Sequence, residues 1–276
     1  MDKFKYKFRL LDMPNLEPKE PRLPTRDEFY DLANKFEWTP KYVSEEELFP
    51  VDMHGLPYLP IDVWAETYDA PYKVLYREYV KNQRSKDQMV FAVRDAAARA
   101  ELDRKLDPVY HGGAFCFHIT AIPIPEYTAV VGEGRMARFG KSGEWRNLAT
   151  FGMMDETRHA QLQILLAHDK IGINPKFAFG HKLFWVDGWV SVFARKFFDD
   201  IITAADAVEN ALMLTFGFET GFTNLQFIAY AAMANKAGDF MFASTTASIQ
   251  TDESRHAQIG HPVLKTYADI AKLSSR

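Results

Sequence analysis

The sequence contains a single cysteine, Cys116, among its 276 residues. One cysteine excludes a disulfide within the chain and any metal site built from several thiolates. It is also typical of proteins kept in a reducing environment, so a cytoplasmic location is expected. Apolar runs of about 18 residues, the length that spans a membrane, are missing too. The basic N-terminus lacks the apolar segment of a signal peptide.

Neither positive nor negative residues are in large excess. The chain has 33 lysines and arginines against 37 aspartates and glutamates, a net charge of −4. Nucleic-acid-binding proteins usually carry a basic surplus, so no nucleic-acid partner is expected. Apolar residues make up 47% of the chain, which is enough to form a large buried core.

Strand-like alternation is scarce, and from residue 69 onward apolar residues recur every three or four positions. Residues 1–25 are rich in proline and are predicted to form an extended arm. Thr25 followed by Glu28 predicts a helix start, and residues 26–110 are predicted to hold accessory helices and loops. Residues 111–276 contain four longer helical segments. The sequence therefore predicts an all-α fold, a helical bundle preceded by accessory helices.

One short stretch occurs twice. MDETRHAQ at residues 154–161 returns as TDESRHAQ at residues 251–258, 97 positions later. Each copy contains Glu-x-x-His, and residues three apart share a helix face, so each helix offers one carboxylate and one imidazole at the same point. The two pairs are Glu156 with His159 and Glu253 with His256.

Two further glutamates precede the two Glu-x-x-His pairs at similar distances along the chain. Glu126 lies 30 positions before the first pair, and Glu219 lies 34 positions before the second. Di-iron carboxylate proteins use such a set, with one Glu from each of two helices and Glu-x-x-His from each of two others. Glu133 is the alternative to Glu126, because it lies seven residues later on nearly the same face. Carboxylates and neutral imidazoles are ligands suited to non-haem iron.

The residues beside these ligands suggest supporting roles. Asp155 and Asp252 could accept hydrogen bonds from the metal-binding histidines, with Asp155 paired to His256 and Asp252 to His159 across the helices. Arg158 and Arg255 could balance the charge of those aspartates. The alternative is a purely structural charge network. The metal site is favoured because so many charges on apolar helices are costly unless they bind metal or one another.

These ordered motifs resemble the α subunit of the bacterial multicomponent monooxygenase hydroxylases, most closely the toluene/o-xylene and alkene monooxygenase branch. The similar blocks include WTPKYVSEEELFP, NLATFGMMDETRHAQ and LTFGFETGFTNLQF. The resemblance implies a ferritin-like four-helix bundle with a carboxylate-bridged di-iron centre. It also implies hydroxylation of an aromatic compound or epoxidation of an alkene by dioxygen. Electrons would come from NADH through a reductase and a Rieske-type ferredoxin, with β and γ subunits and an effector protein as further partners.

The resemblance assigns further residues. Thr223 matches a threonine that assists oxygen activation, although a threonine hydroxyl often just bonds to a carbonyl one turn earlier. Asn224 and Gln250 match polar residues that respond to the effector. The walls of an apolar substrate pocket would be Ile122, Ala129, Phe198, Phe218 and Phe227, which could equally be ordinary core residues.

The sequence departs from the family in two respects. Pro123 and Pro125 stand just before Glu126, so the helix either starts there or bends beside the site. The C-terminal part of the family's α subunit is also expected to be absent, as in a fragment, a split subunit or a shortened homologue.

Three other functions are considered. A ferroxidase is disfavoured by the long N-terminal arm, and a radical-generating subunit by the position of Tyr127, which adjoins Glu126 but points off its face. A non-catalytic scaffold subunit would have lost ligands, whereas this chain retains six.

Overall fold

The computed structural model describes residues 22, 25, 27–28, 74–112, 122–140, 142–175, 188–204 and 207–274. These residues form helices and turns and contain no strand, so the predicted all-α class is confirmed. Most of the predicted arm over residues 1–25 and the loops before residue 74 lie outside the described residues. The domain boundaries therefore stay a prediction. The main helices are α1 (Tyr76–Arg99), α2 (Pro123–Phe139), α3 (Gly143–Ile173), α4 (Trp189–Ile202), α5 (Ala207–Ala211), a π-helix (Leu212–Thr223), α6 (Asn224–Ala237) and α7 (Phe240–Ser274). A 3₁₀ helix (Leu102–Lys105) and a single helical turn (Pro108–Tyr110) follow α1.

The predicted helix start at Thr25 has the geometry of a capping box. The Thr25 amide donates a hydrogen bond to Glu28 Oε2 at 2.7 Å, and the Glu28 amide donates to Thr25 Oγ1 at 3.3 Å. Each side chain thus satisfies a backbone donor that the helix itself leaves unpaired.

The prolines before Glu126 mark the start of α2 rather than a bend within it. Pro123 is the first helical residue, where the amide hydrogen that proline lacks would have no helical partner. Pro125 lies in the same turn. The Glu126 amide then makes the regular helical bond to the Ile122 carbonyl at 3.1 Å. Glu126 therefore projects from the first turn of a regular helix.

The bundle is built from two helix pairs. Helix α2 packs against α3, while the π-helix and α6 pack against α7. Helices α3 and α7, which carry the two repeated motifs, contact each other, and α1 lies across α7. At Gly260 of α7 a Cβ atom would overlap Thr215 Oγ1, so glycine permits the close approach of α7 to the π-helix.

The main core cluster lies between these helices. Trp145 and Leu148 of α3, Leu214 of the π-helix and Ile259 of α7 are fully buried in it. Burial of apolar side chains on this scale is the main force holding the helices together. None of the described helices is both long and apolar enough to cross a membrane.

Candidate metal centre

The structure brings all six predicted ligands together inside the bundle. α2 supplies Glu126, the π-helix supplies Glu219, and α3 and α7 each supply a Glu-x-x-His pair. None of the six is more than 5% exposed. Their ligand atoms form two groups, each spanning no more than 4.8 Å. The first group is Glu126, Glu156, His159 and Glu253, and the second is Glu156, Glu219, Glu253 and His256.

Glu156 and Glu253 belong to both groups, so their carboxylates lie between two adjacent metal positions. His159 Nδ1 is 3.6 Å from Glu156 Oε2 and 3.1 Å from Glu253 Oε1. On the other side, His256 Nδ1 is 2.7 Å from Glu156 Oε1 and 3.4 Å from Glu253 Oε2. Both imidazoles thus present Nδ1 to the same pair of carboxylates.

Among the residues that the structure describes, the inward-facing atoms have no hydrogen-bond partner of normal geometry. They are Nδ1 of both histidines and both carboxylate oxygens of Glu156, Glu219 and Glu253. A buried polar atom left unpaired costs about 1–3 kcal/mol, and more when it is charged. Metal ions would satisfy all of these atoms at once, and oxygen and nitrogen donors suit iron. The residues present therefore fit a two-metal site.

The pKa values of two of the buried glutamates are shifted by burial and by the other carboxyl groups that lie close to them. Burial, followed by the charge of Glu156, raises the pKa of Glu126 well above its ordinary value. Burial, followed by the charge of Glu253, does the same for Glu219. Like charges this close cannot all ionise without a cation between them. Metal binding must therefore displace protons from the site.

Each histidine is backed by an aspartate from the opposite repeat. His256 Nε2 lies 3.2 Å from Asp155 Oδ2, and His159 Nε2 lies 3.4 Å from Asp252 Oδ2. With Nδ1 facing the metal position, Nε2–H is the atom that can donate to the aspartate. Such a bond fixes the tautomer and the orientation of a metal-binding histidine. The structure has the crossed pairing that the sequence suggested.

The two arginines of the repeats hold these aspartates. Arg255 donates to Asp155 Oδ2 through Nε at 3.0 Å and to Asp252 Oδ1 through Nη2 at 2.8 Å. Arg158 donates to Asp252 Oδ2 at 2.9 Å and to Asp87 Oδ1 at 2.7 Å. Burial alone would raise the pKa of Asp252, but the hydrogen bond from His159 and the nearby cations hold it well below its ordinary value.

Helix α1 contributes three side chains that no sequence pattern singles out. Gln83 Nε2 donates to Asp155 Oδ1 at 2.6 Å and to Asp252 Oδ1 at 2.8 Å, so it joins the two halves of the site. Tyr79 OH donates to Asp155 Oδ1 at 2.7 Å, and Lys86 Nζ contacts Asp252 Oδ1 at 2.5 Å. On an isolated helix these residues look like an ordinary polar face.

Gln163 is a further residue that sequence reasoning missed. It lies one turn after His159 on α3, is 1% exposed, and donates through Nε2 to Glu126 Oε1. A signal was available, because a glutamine four positions after a ligand histidine shares its helix face. That signal is weak, since glutamine is common on helix surfaces.

Glu133, the alternative to Glu126, is not in either ligand group. Its side chain is completely buried, and both oxygens lack a hydrogen-bond partner among the described residues. The carboxyl group packs over Gly152, where a Cβ atom would come within 2.7 Å of Glu133 Cδ. Burial raises the pKa of Glu133 well above its ordinary value. Glu133 is therefore a buried acid beside the site rather than one of the converging ligands.

Thr223 ends the π-helix one turn after Glu219. Its side chain is 4% exposed, and Oγ1 has no hydrogen-bond partner among the described residues. By contrast, Thr215 Oγ1 donates to the Ala211 carbonyl at 2.6 Å, and Thr220 Oγ1 donates to the Thr215 carbonyl at 2.9 Å. The alternative considered for Thr223, a side-chain hydrogen bond to a carbonyl one turn earlier, is therefore found at Thr215 and Thr220. Among the described residues it is not found at Thr223.

The remaining predicted residues are only partly brought together. Gln250 Nε2 donates to Asn224 Oδ1 at 3.3 Å. Ala129 and Phe198 share the main core cluster, and the Phe218 ring meets the Phe198 ring edge-on at 4.9 Å. Phe227 lies in a separate cluster with Val90, Leu162 and Ile249, and Ile122 is half-buried at the start of α2. A single pocket lined by all five stays a prediction.

Comparison with known proteins decides the family. A profile described as methane/phenol/alkene hydroxylase matches residues 38–270. The chain belongs to this hydroxylase family. It is 42% identical over 242 residues to the oxygenase α subunit of the alkene monooxygenase system of Xanthobacter autotrophicus. That alignment covers 88% of this chain and 48% of the relative.

Other relatives agree on the family and the fold. The chain is 27% identical over 246 residues to the phenol 2-monooxygenase oxygenase component DmpN of Pseudomonas sp. strain CF600. A solved structure of toluene 4-monooxygenase with toluene in its resting active site aligns with a TM-score of 0.72 over 90% of this chain and 88% of that chain, at 17% identity. The predicted all-α helical bundle is thereby confirmed as the fold. The chain spans about half the length of the alkene and phenol monooxygenase subunits.

Proposed function

We propose that the chain is the catalytic subunit of a multicomponent monooxygenase that oxidises a small aromatic compound or an alkene. The observation that carries this proposal is the group of six buried ligands, in which two carboxylates are shared between two metal positions. Membership of the hydroxylase family and the similarity to an alkene monooxygenase subunit support the reaction class.

The metal ions are proposed to be iron. Held by the six ligands, two iron ions would supply the electron transfer and oxygen binding that dioxygen chemistry needs. The balanced reaction takes a hydrocarbon, one dioxygen, two electrons and two protons to an alcohol, phenol or epoxide plus water. The electrons are proposed to come from NADH through a reductase and a Rieske-type ferredoxin, with β and γ subunits and an effector protein completing a cytoplasmic system.

The side chains of this chain have separate tasks in that reaction. Glu126 and Glu219 would each hold one of the two metal ions, and Glu156 and Glu253, which belong to both ligand groups, would contribute to both. Burial of all four carboxylates excludes bulk water, which strengthens every electrostatic interaction in the site. Thr223 Oγ1 lies one turn from Glu219 and has no hydrogen-bond partner in the described part of the chain, and it is proposed to hold and pass a proton at the reacting centre.

A direct experiment replaces one ligand at a time. Glu253→Ala and His159→Ala are expected to abolish hydrocarbon oxidation and to lower the iron content, Glu253→Ala more severely because Glu253 belongs to both ligand groups and His159 to one. Iron per chain is measured by atomic emission, and product by chromatography with the partner proteins supplied. Arg94→Lys, in an ion pair with Asp169 away from the site, is the control. Full iron content and normal oxidation in either ligand variant would refute the assignment.

One observation favours a second candidate, a radical-generating subunit. Tyr127 is 46% exposed and does not face the site, but Tyr79 is 4% exposed and hydrogen-bonded to Asp155, which backs His256. Electron paramagnetic resonance after oxygen is added to the reduced protein separates the two functions. A stable tyrosyl signal that disappears in Tyr79→Phe would favour the radical subunit, and hydrocarbon oxidation without such a signal favours the monooxygenase.

A further inference from the structure

The two metal positions have matching ligands but unequal surroundings. The His159 position has Glu126 and His159 as its own ligands, the His256 position has Glu219 and His256, and both share Glu156 and Glu253. Each has one glutamate and one histidine of its own. A difference in metal affinity must then come from the groups behind these ligands, because outer groups tune the basicity of a ligand.

Asp252, which backs His159, is surrounded by cations. Lys86 Nζ lies 2.5 Å from its Oδ1, Arg255 Nη2 lies 2.8 Å from Oδ1, and Arg158 Nη1 lies 2.9 Å from Oδ2. Gln83 also donates to Oδ1. Three cations therefore contact this one carboxylate among the described residues, although Arg158 also pairs with Asp87 and Arg255 also pairs with Asp155.

Asp155, which backs His256, has a different set of partners. In the described part of the chain the only cation that bonds to it is Arg255, which binds Oδ2. Its other oxygen accepts hydrogen bonds from the neutral groups of Tyr79 and Gln83. Helix α1 thus places a phenol beside one aspartate and an ammonium beside the other.

This difference affects the histidines. A carboxylate neutralised by three cations is a weaker acceptor for an imidazole N–H than one neutralised by a single cation. The observed distances agree, since the nitrogen–oxygen distance is 3.4 Å for His159 and Asp252 but 3.2 Å for His256 and Asp155. His159 is therefore the less basic ligand at Nδ1.

The glutamates differ in the same direction. Gln163 donates a hydrogen bond to Glu126, which draws electron density from that carboxylate. The oxygens of Glu219 accept no hydrogen bond from an amide or a hydroxyl group among the described residues, and their close neighbour is the carboxyl group of Glu253. Glu126 is thus a weaker metal ligand than Glu219, just as His159 is a weaker metal ligand than His256.

We propose that helix α1 makes the two metal positions unequal, so that a divalent ion fills the His256 position first and binds the His159 position more weakly. Lys86 is the positioning residue for this effect and acts through Asp252 on His159. The inference rests on the proposed two-metal centre. Lys86 can be altered without opening the core, because it lines a surface cavity of about 290 Å³ together with Tyr79, Asn82, Gln83, Ser85, Thr251 and Arg255.

The test measures cobalt binding to the metal-stripped chain by optical titration and calorimetry. The unaltered chain is expected to bind two Co²⁺ ions in separate steps. Glu219→Gln should remove the tighter step and Glu126→Gln the weaker one. Adding Lys86→Met to Glu219→Gln should tighten the remaining step by about tenfold, the low end of outer-group effects on metal affinity. Adding it to Glu126→Gln should leave the remaining step unchanged.

Matched variants separate the role of Lys86 from a general loss of charge. Lys86→Arg should retain the two-step isotherm, because it keeps the cation beside Asp252. Lys81→Met removes the same charge from an exposed position on α1 and should change neither step. Circular dichroism checks folding, and Lys86→Gln replaces Lys86→Met if the latter is unfolded.

The outcomes are distinct. Equal steps in the unaltered chain, loss of the weaker step in Glu219→Gln, or an equal effect of Lys86→Met in both backgrounds would overturn the inference while leaving the metal centre intact. Failure of the unaltered chain to bind any Co²⁺ would instead contradict the proposed metal centre itself.

Discussion

Asp155 and His256 lie 101 positions apart in the chain, yet Asp155 Oδ2 is 3.2 Å from His256 Nε2. The same aspartate is the partner of the buried Arg255 guanidinium. Asp155→Asn should therefore weaken metal binding by about 10–100-fold, because the histidine loses its charged acceptor. It should also destabilise the metal-free fold by about 1.5–3 kcal/mol, because Arg255 loses its charged hydrogen bond to one of its two buried carboxylate partners and keeps only Asp252.

Metal titration and urea unfolding measure these two effects. Asp87→Asn is the matched control, because Asp87 is a half-exposed partner of Arg158 that does not contact a histidine. Equal, small effects in both variants would show that Asp155 does not support His256.

Gly152 provides the space for the Glu133 carboxyl group. A Cβ atom at residue 152 would come within 2.7 Å of Glu133 Cδ, so Gly152→Ala should destabilise the protein by about 1–3 kcal/mol through overpacking. Gly172→Ala, on the same helix with nothing within 4 Å of the added carbon, should be neutral or slightly stabilising. Chemical unfolding measures both. The Gly152→Ala effect should shrink when Glu133→Ala is added, and additivity of the two changes would argue against the contact.

Glu133 should also make stability depend on pH. Its pKa is raised in the folded protein, chiefly by burial. Above the ordinary glutamate pKa of about 4.3 the unfolded chain ionises at this residue while the folded chain keeps the proton, so stability is lost as the pH rises. Glu133→Gln cannot ionise. It should therefore stabilise the metal-free protein more at pH 8 than at pH 5 in urea unfolding.

The exposed Glu209→Gln is the control for that pH series. The same substitution at this surface carboxyl shows what the loss of a glutamate does without the burial found at Glu133. A Glu133→Gln effect that does not change between pH 5 and pH 8 would mean that Glu133 is already ionised in the folded state.

Thr223 offers a test of proton delivery. Because its hydroxyl makes no other hydrogen bond among the described residues, Thr223→Val should retain metal content and fold stability. The same change should lower the ratio of oxidised product to dioxygen consumed severalfold, with hydrogen peroxide released instead. Thr223→Ser keeps the hydroxyl and should behave like the unaltered protein. An unchanged ratio in Thr223→Val would remove Thr223 from the reaction.

The convergence of the six side chains could be predicted because it depends on residue spacing within single helices. Glu156 and His159 share a helix face by spacing alone, and the repeat at Glu253 and His256 supplies the second half. The prolines before Glu126 were ambiguous in the sequence, since the same residues either start a helix or bend one. Only the position of the first backbone hydrogen bond, from Glu126 to Ile122, distinguishes the two.

The surroundings of the site were not predictable. Gln83 and Lys86 reach aspartates 72 and 166 positions away, and no local pattern records such contacts. Glu133 looked like a ligand because it shares a face with Glu126, yet its depth in the core is set by the packing of α2 over Gly152. Residue propensities also do not reveal the π-helical winding around Glu219, where the Thr220 side-chain hydroxyl donates to the Thr215 carbonyl five residues earlier.

The most direct test of the central claim is the iron content and iron position of the purified chain. X-ray diffraction at the iron absorption edge is expected to show two anomalous peaks about 3.5–4 Å apart, the usual separation in two-metal sites, between Glu156 and Glu253. Each peak should lie beside one histidine Nδ1. A chain loaded with iron that shows no peak among these six side chains, or a single peak outside them, would contradict the account.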